Sequence, residues 1–263
     1  CSAGWVCGAT GTVFGAVTSV KLFYSTNGGL GYTQLPAGNC ATATVTTGAF
    51  SCNWTVQDLI GTNLKIKVED ANNANVKDDS NAAFAIKGTV TISAPVGGAT
   101  PSVWIAGDPH DIKWSRNGTV GLIDLSYNVN NGTYASIATG VDSGTSMFGG
   151  CSPAPCYRWT LPDGSGGAII SSNVKVKISG ANLTSDAIAG GFTVKGKLTV
   201  GSLAAEYILG DQVNLTWTAK GDLGSVKVEY FDGTAWKTVT TTAPQNGPFP
   251  FDLLPAFTTG NLQ

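Results

Sequence analysis

Residues 114–132, WSRNGTVGLIDLSYNVNNG, decide the fold, because their pattern stands twice more in the chain. Residues 5–29 read WVCGATGTVFGAVTSVKLFYSTNGG and residues 217–233 read WTAKGDLGSVKVEYFDG. Each stretch has a Trp, a Gly-containing turn, and a run of alternating apolar and polar residues ending in Tyr. Alternation with a period of two predicts strands with one buried face. The runs Val20-Lys21-Leu22-Phe23-Tyr24, Ile123-Asp124-Leu125-Ser126-Tyr127 and Val226-Lys227-Val228-Glu229-Tyr230 therefore predict one strand used three times.

Further landmarks recur in the same order. Phe50-Ser51-Cys52-Asn53-Trp54 matches Tyr157-Arg158-Trp159 and Phe249-Pro250-Phe251. Leu64-Lys65-Ile66-Lys67-Val68 matches Val174-Lys175-Val176-Lys177-Ile178, and Phe84-Ala85-Ile86-Lys87-Gly88 matches Phe192-Thr193-Val194-Lys195-Gly196. A fixed period of this size marks a tandem array. Short strands, Gly/Asn/Pro turns and about 100 residues per unit describe a β-sandwich. Trp5, Trp114, Trp217, Trp54 and Trp159 are expected in cores, where a large ring buries much apolar area.

The expected division is 1–87, a repeat without its opening strand; 88–196, a complete repeat; and 197–263, a repeat without its final strands. Thr89-Val90-Thr91-Ile92 follows Gly88 directly, and Lys197-Leu198-Thr199-Val200 follows Gly196 directly. Such short linkers predict little hinge freedom and a stiff rod.

Pro95-Val96-Gly97-Gly98, Trp104, Gly107 and Ile112-Lys113-Trp114, with Tyr24-Ser25-Thr26-Asn27-Gly28-Gly29, carry a family resemblance. The chain resembles the tandem immunoglobulin-like or fibronectin-III-like repeats of bacterial extracellular and cell-surface proteins. Val200-Gly201-Ser202-Leu203 departs from the Pro-x-Gly-Gly turn. The resemblance implies an all-β rod of immunoglobulin-like sandwiches serving as a stalk, filament or S-layer segment. A carbohydrate-binding or adhesive module, and an accessory region of a large secreted enzyme, are the alternatives. Fold analogy does not choose among them.

Six cysteines fall in close pairs, Cys1 with Cys7, Cys40 with Cys52 and Cys151 with Cys156. With one histidine and no CxxC, disulfides in an oxidising compartment explain them better than a metal site, and an extracellular location follows. Charged residues are 12% of the chain, against about 25% in ordinary domains. A net charge of −2, with Arg116 and Arg158 the only arginines, excludes a clustered basic face for nucleic acid. No apolar run reaches the roughly 20 residues of a spanning helix. The expected partners are neighbouring repeats or further copies of the protein, with polysaccharide as an alternative.

Catalytic chemistry has little to stand on. His110, in Gly107-Asp108-Pro109-His110-Asp111, reads as a loop residue without an activated serine beside it. Asp163-Gly164-Ser165-Gly166-Gly167 resembles a nucleophile elbow only loosely. Glu69, Asp70, Asp78 and Asp79 around one loop are a weak calcium candidate without EF-hand spacing. Sequons stand at Asn53, Asn117, Asn131, Asn182 and Asn214, with Asn53 the least accessible beside Trp54. Candidate binding aromatics are Trp236, Tyr32 and Tyr207, with Phe148; Trp236 aligns roughly with Tyr32 and Tyr134, which favours shared packing over three sites.

Overall fold

Extended chain puts successive side chains on opposite faces, and in the second repeat the apolar set meets in one place. The structure, a computed structural model, describes residues 4, 6–145, 147–164, 169–208 and 210–252. All regular structure among them is β. Among the described residues no sheet closes on itself, and no helix is long and apolar enough to cross a membrane.

Residues 89–195 form two sheets. One has the order Val103–Ile105, Phe192–Lys195, Ser171–Ser179, Leu122–Val129, Ala135–Asp142, with Ala187–Ile188 also paired to Ser171–Ser179. The other has the order Met147–Phe148, Cys156–Thr160, Pro109–Asn117, Thr89–Ala94. Both contribute to one core. Val90, Ile112, Trp114 and Trp159 come from the second sheet, and Ile123, Leu125, Val174, Val176, Ile178 and Phe192 from the first. Trp114 is 3% exposed, and its indole N–H donates to the Ser143 carbonyl at 2.9 Å. That bond satisfies the one polar atom of the ring, which burial would otherwise penalise.

A separate core lies within the first repeat, built from Val20, Leu22, Phe50, Trp54, Leu64 and Ile86 among others. A third, smaller core holds Trp217, Val228 and Ala243.

Strand register corrects the alignment of the first repeat. His110 lies opposite Trp159, and Trp114 follows four residues along the same strand. In the first repeat Cys7 lies opposite Trp54, and the residue four further on is Gly11, opposite Phe50. Gly11, not Trp5, thus holds the place of Trp114; Trp5 itself lies outside the described residues. One interval separates Gly11 from Tyr24, Trp114 from Tyr127 and Trp217 from Tyr230. Phe50 fills part of the space left by the missing indole: a Cβ on Gly11 would sit 2.5 Å from its ring.

Two disulfides join pairs of described residues, Cys40–Cys52 and Cys151–Cys156, with Cα separations of 5.7 and 6.0 Å. Both fall within the normal span for a bridge, and they carry the chemistry of an oxidising compartment. They are not the same staple repeated. Cys52 shares the inner face of its strand with Phe50 and Trp54. Cys156 stands three residues before Trp159 and so faces the other way. Cys1, and with it the expected pairing to Cys7, lies outside the described residues.

Candidate functional site

Contacts between repeats form a joint that occurs twice with equivalent residues. Gly88 stands at the boundary between the first and second repeats. A Cβ placed there would meet the Asn117 carbonyl oxygen at 2.5 Å, the Ile60 Cδ1 at 3.4 Å, and the Val120 side chain closer still. Gly196 ends the second repeat. A Cβ there would meet the Lys220 carbonyl oxygen at 2.8 Å, the Ile170 Cδ1 at 3.1 Å, and the Leu223 side chain closer still. Relative to the landmark strands, Asn117 matches Lys220, Val120 matches Leu223, and Ile60 matches Ile170. Each joint therefore seats a turn of the following repeat on a bare glycine backbone, with an isoleucine from the preceding repeat at its side.

The turn itself needs a left-handed residue, and glycine adopts that conformation without steric cost. Gly118 and Gly221 have φ of 85° and 86°, and Gly15 at the matching place in the first repeat has 88°.

Polar contacts finish each joint differently. Asp58 of the first repeat accepts hydrogen bonds from the Thr119 N–H at 2.8 and 3.0 Å and from its hydroxyl at 2.5 Å. These bonds, the hydroxyl's first, hold the Asp58 carboxyl below the usual carboxylate range. The Gly88 N–H donates to the Asn182 carbonyl at 2.9 Å, and the Gly88 carbonyl accepts from Thr184 N–H at 3.0 Å. At the second joint Lys220 pairs with Asp108, and this hydrogen bond lowers the Asp108 pKa.

The binding candidates do not converge. Tyr32 is half-buried and donates its hydroxyl to Asp79 at 2.6 Å. Burial first, then that bond, pushes its pKa up to about 12. Lys67 lies 5.3 Å from its ring centre, and Lys177 lies 4.5 Å from that of Tyr134. Tyr32 and Tyr134 thus share a lysine-on-ring contact. Tyr207 accepts from the Ala204 N–H at 2.9 Å within its own loop. Trp236 is 58% exposed, with its ring centre 5.5 Å from that of Phe231. Phe148 stacks parallel on Tyr157 at 4.8 Å.

The calcium candidates are likewise dispersed. Glu69 pairs with Lys67 at 2.9 Å and Asp79 with Lys65 at 3.0 Å. Asp70 accepts from Asn72 N–H and Asp78 from Asp79 N–H. No group of three or more His, Cys, Asp or Glu side chains among the described residues is placed to hold a metal ion. Asn53 is exposed, because its neighbour Trp54 takes the inner face and leaves it the outer one. The Asn182 amide donates to the Val120 carbonyl at 3.1 Å, so a glycan there would break a joint contact.

His110 is a strand residue rather than a loop residue, second in Pro109–Asn117. Its ring stacks on Trp104 at 4.7 Å and 5°, and its Nε2 accepts from the Ile105 N–H at 3.2 Å. A nitrogen that accepts this bond carries no proton. Burial pushes the His110 pKa below its ordinary value, against the opposing pull of Asp108 and Asp111. The unfolded chain therefore takes up this proton at higher pH than the folded one. Stability is flat above the ordinary histidine value of about 6.5 and falls as pH drops through it. Calorimetry from pH 8 to 5 is expected to show this fall in the second repeat and its loss in His110→Phe. As His110 is the sole histidine, an unchanged slope in the variant rules out the assignment. Ser165, Gly166 and Gly167 of the loose elbow motif lie outside the described residues.

Compared with protein-family models and with curated proteins, the sequence matches none.

Proposed function

We propose that the chain is a structural segment of an extracellular or cell-surface protein, a stalk, filament or surface-layer element built from immunoglobulin-like repeats. The observation that carries this reading is the joint used twice: Gly88 with Val120 and Ile60, then Gly196 with Leu223 and Ile170. A bare glycine under a packed turn leaves two repeats little freedom to rotate. A contact of one kind at successive junctions is how a repeat array propagates one geometry along its length. The disulfides and the charge-poor composition fit a secreted setting.

Small-angle scattering of the chain, with electron microscopy of native material, tests the proposal. An extended particle with one fixed angle at each joint, assembled into regular stalks or layers, is the expected result. Freely jointed repeats that form no ordered array defeat it. A polysaccharide-binding reading rests on the exposure of Trp236 alone. It requires retention on a polysaccharide column that Trp236→Ala abolishes without loss of fold.

A further inference from the structure

The two joints differ in charge at equivalent places. By the register above, Cys7 of the first repeat stands where His110 stands in the second, each opposite a core tryptophan. Two residues earlier the chain has Trp5 in the first repeat and Asp108 in the second. The residue brought up from the following repeat is Asn117 at the first joint and Lys220 at the second. Gly4 and Gly107, at matching positions with φ of 80° and 73°, face these residues. A Cβ on Gly4 would lie 3.5 Å from the Asn117 amide nitrogen, and one on Gly107 would lie 3.6 Å from the Lys220 Cδ. The first joint puts a neutral amide at this place. The second puts the Lys220–Asp108 ion pair there.

His110 braces the turn that Lys220 holds. Its Nε2 accepts from the Ile105 N–H. Backbone bonds fix the rest of the turn: Ala106 N–H donates to the Lys195 carbonyl at 2.9 Å, Asp108 N–H to the Ile105 carbonyl at 3.2 Å, and Leu161 N–H to the Asp108 carbonyl at 3.1 Å. This turn is part of the seat of the third repeat, since a Cβ on Gly221 would meet the Ala106 Cβ at 3.2 Å. The charged groups around His110 come from several elements. Asp108 and Asp111 act on it from its own segment. Arg158 of the facing strand pairs with Asp111 at 2.8 Å, and Lys113 stands 3.9 Å from the same carboxyl. Lys220 and Lys197 act on Asp108, and Asp163 flanks Gly107. Lys195, on the strand paired with Val103–Ile105, is exposed. Trp104, stacked on the imidazole, and Trp159, opposite it in register, bring no charge.

We infer that Asp108, His110 and Lys220 form an acid-released latch on the second joint, a device that the first joint lacks. A proton on Nε2 sets two N–H groups against each other, one on the ring and one on Ile105, so the turn loses its brace. The new positive charge is drawn to Asp108 and competes with Lys220 for its carboxylate. Asp108 stays ionised meanwhile, because its lysine partner lowers its pKa. The proton binds better where His110 has left its buried stack, so acid shifts the population toward the open joint. The latch is therefore closed above the ordinary histidine value of about 6.5 and released as pH falls below it. The inference rests on the fixed joints of the structural role proposed above.

The test measures distances between pairs of spin labels on the 263-residue chain, attached through non-natural residues so that no cysteine is added. Labels at Thr139 and Thr241 span the second joint, labels at Thr44 and Thr139 span the first, and labels at Thr139 and Thr160 lie within the second repeat; all these positions are exposed. Between about pH 8 and about pH 5 the distribution across the second joint should widen about twofold or more, while the other two hold. His110→Gln keeps an acceptor for the Ile105 N–H but takes up no proton, and should leave the second joint narrow at both pH values. Lys220→Met should leave it wide at both. No widening in acid, equal widening at both joints, widening within the second repeat, or widening that survives His110→Gln overturns the latch. Broad distributions at both joints already at the higher pH defeat the structural role as well, whereas narrow ones that stay narrow in acid defeat the latch alone.

Discussion

Trp114→Ala is expected to remove about 3–5 kcal/mol from the second repeat, the range for truncating a buried tryptophan. The ring lies among residues of both sheets and is 3% exposed. Its loss opens a cavity between the sheets and leaves the Ser143 carbonyl without the indole donor. Domains of this size have about 5–15 kcal/mol in total, so roughly a fifth or more of the stability goes with one side chain. In calorimetry the transition of the second core should fall by about 15 °C or more, while the other two cores melt near their original temperatures. A shift of only a few degrees would mean that the indole is not the wedge between these sheets.

The first repeat shows why the prediction is specific to position. Gly11 occupies the matching place, and Phe50 from the facing strand has moved into part of the space. Restoring the indole by Gly11→Trp alone therefore collides with Phe50. The same architecture has settled on two packings, one with the large residue on each strand, as expected where total core volume matters more than which strand supplies it.

Much of the fold was legible because its signals are local. A period of two over five residues marks a strand without reference to its partner, and the strands Ser19–Ser25, Leu122–Val129 and Ser225–Phe231 stand where the alternation placed them. Equivalence between repeats was less legible, because tryptophan drew the eye. Trp5 stands six residues too early, and the left-handed glycines Gly15, Gly118 and Gly221, evenly spaced, were the better ruler. His110 was hidden for a related reason: its stacking on Trp104 and its bond to Ile105 depend on a neighbouring strand. The acidic residues around 69–79 suggested an oxygen cage when counted along the chain. In space Lys65 pairs with Asp79 of the adjoining strand and Lys67 with Glu69 of its own strand. The joints were legible only as linkers. Gly88 and Gly196 announce a lack of side chain, but what presses on that bare backbone comes from residues some 30 positions further along.

Those joints carry the other large prediction. Gly88→Val is expected to uncouple the first and second repeats and to cost about 1–3 kcal/mol, the usual penalty for overfilling a packed contact. The collision at 2.5 Å is with the backbone oxygen of Asn117, which cannot rotate away as a side-chain tip can. Relief requires the turn at residues 117–120 to lift, which parts Thr119 from Asp58 and the Gly88 backbone from Asn182 and Thr184. The separate cores are not touched, so the loss should appear as wider inter-repeat distance distributions between spin labels rather than as unfolding. Gly196→Val should act in the same way on the second joint, against the Lys220 oxygen and Leu223. Gly8→Ala is the control, since a Cβ there meets nothing within 4 Å, and it should leave both stability and distances unchanged. If Gly88→Val narrows or preserves the distance distribution, the glycine is not what locks the joint, and the polar contacts of Asp58 become the element to test instead.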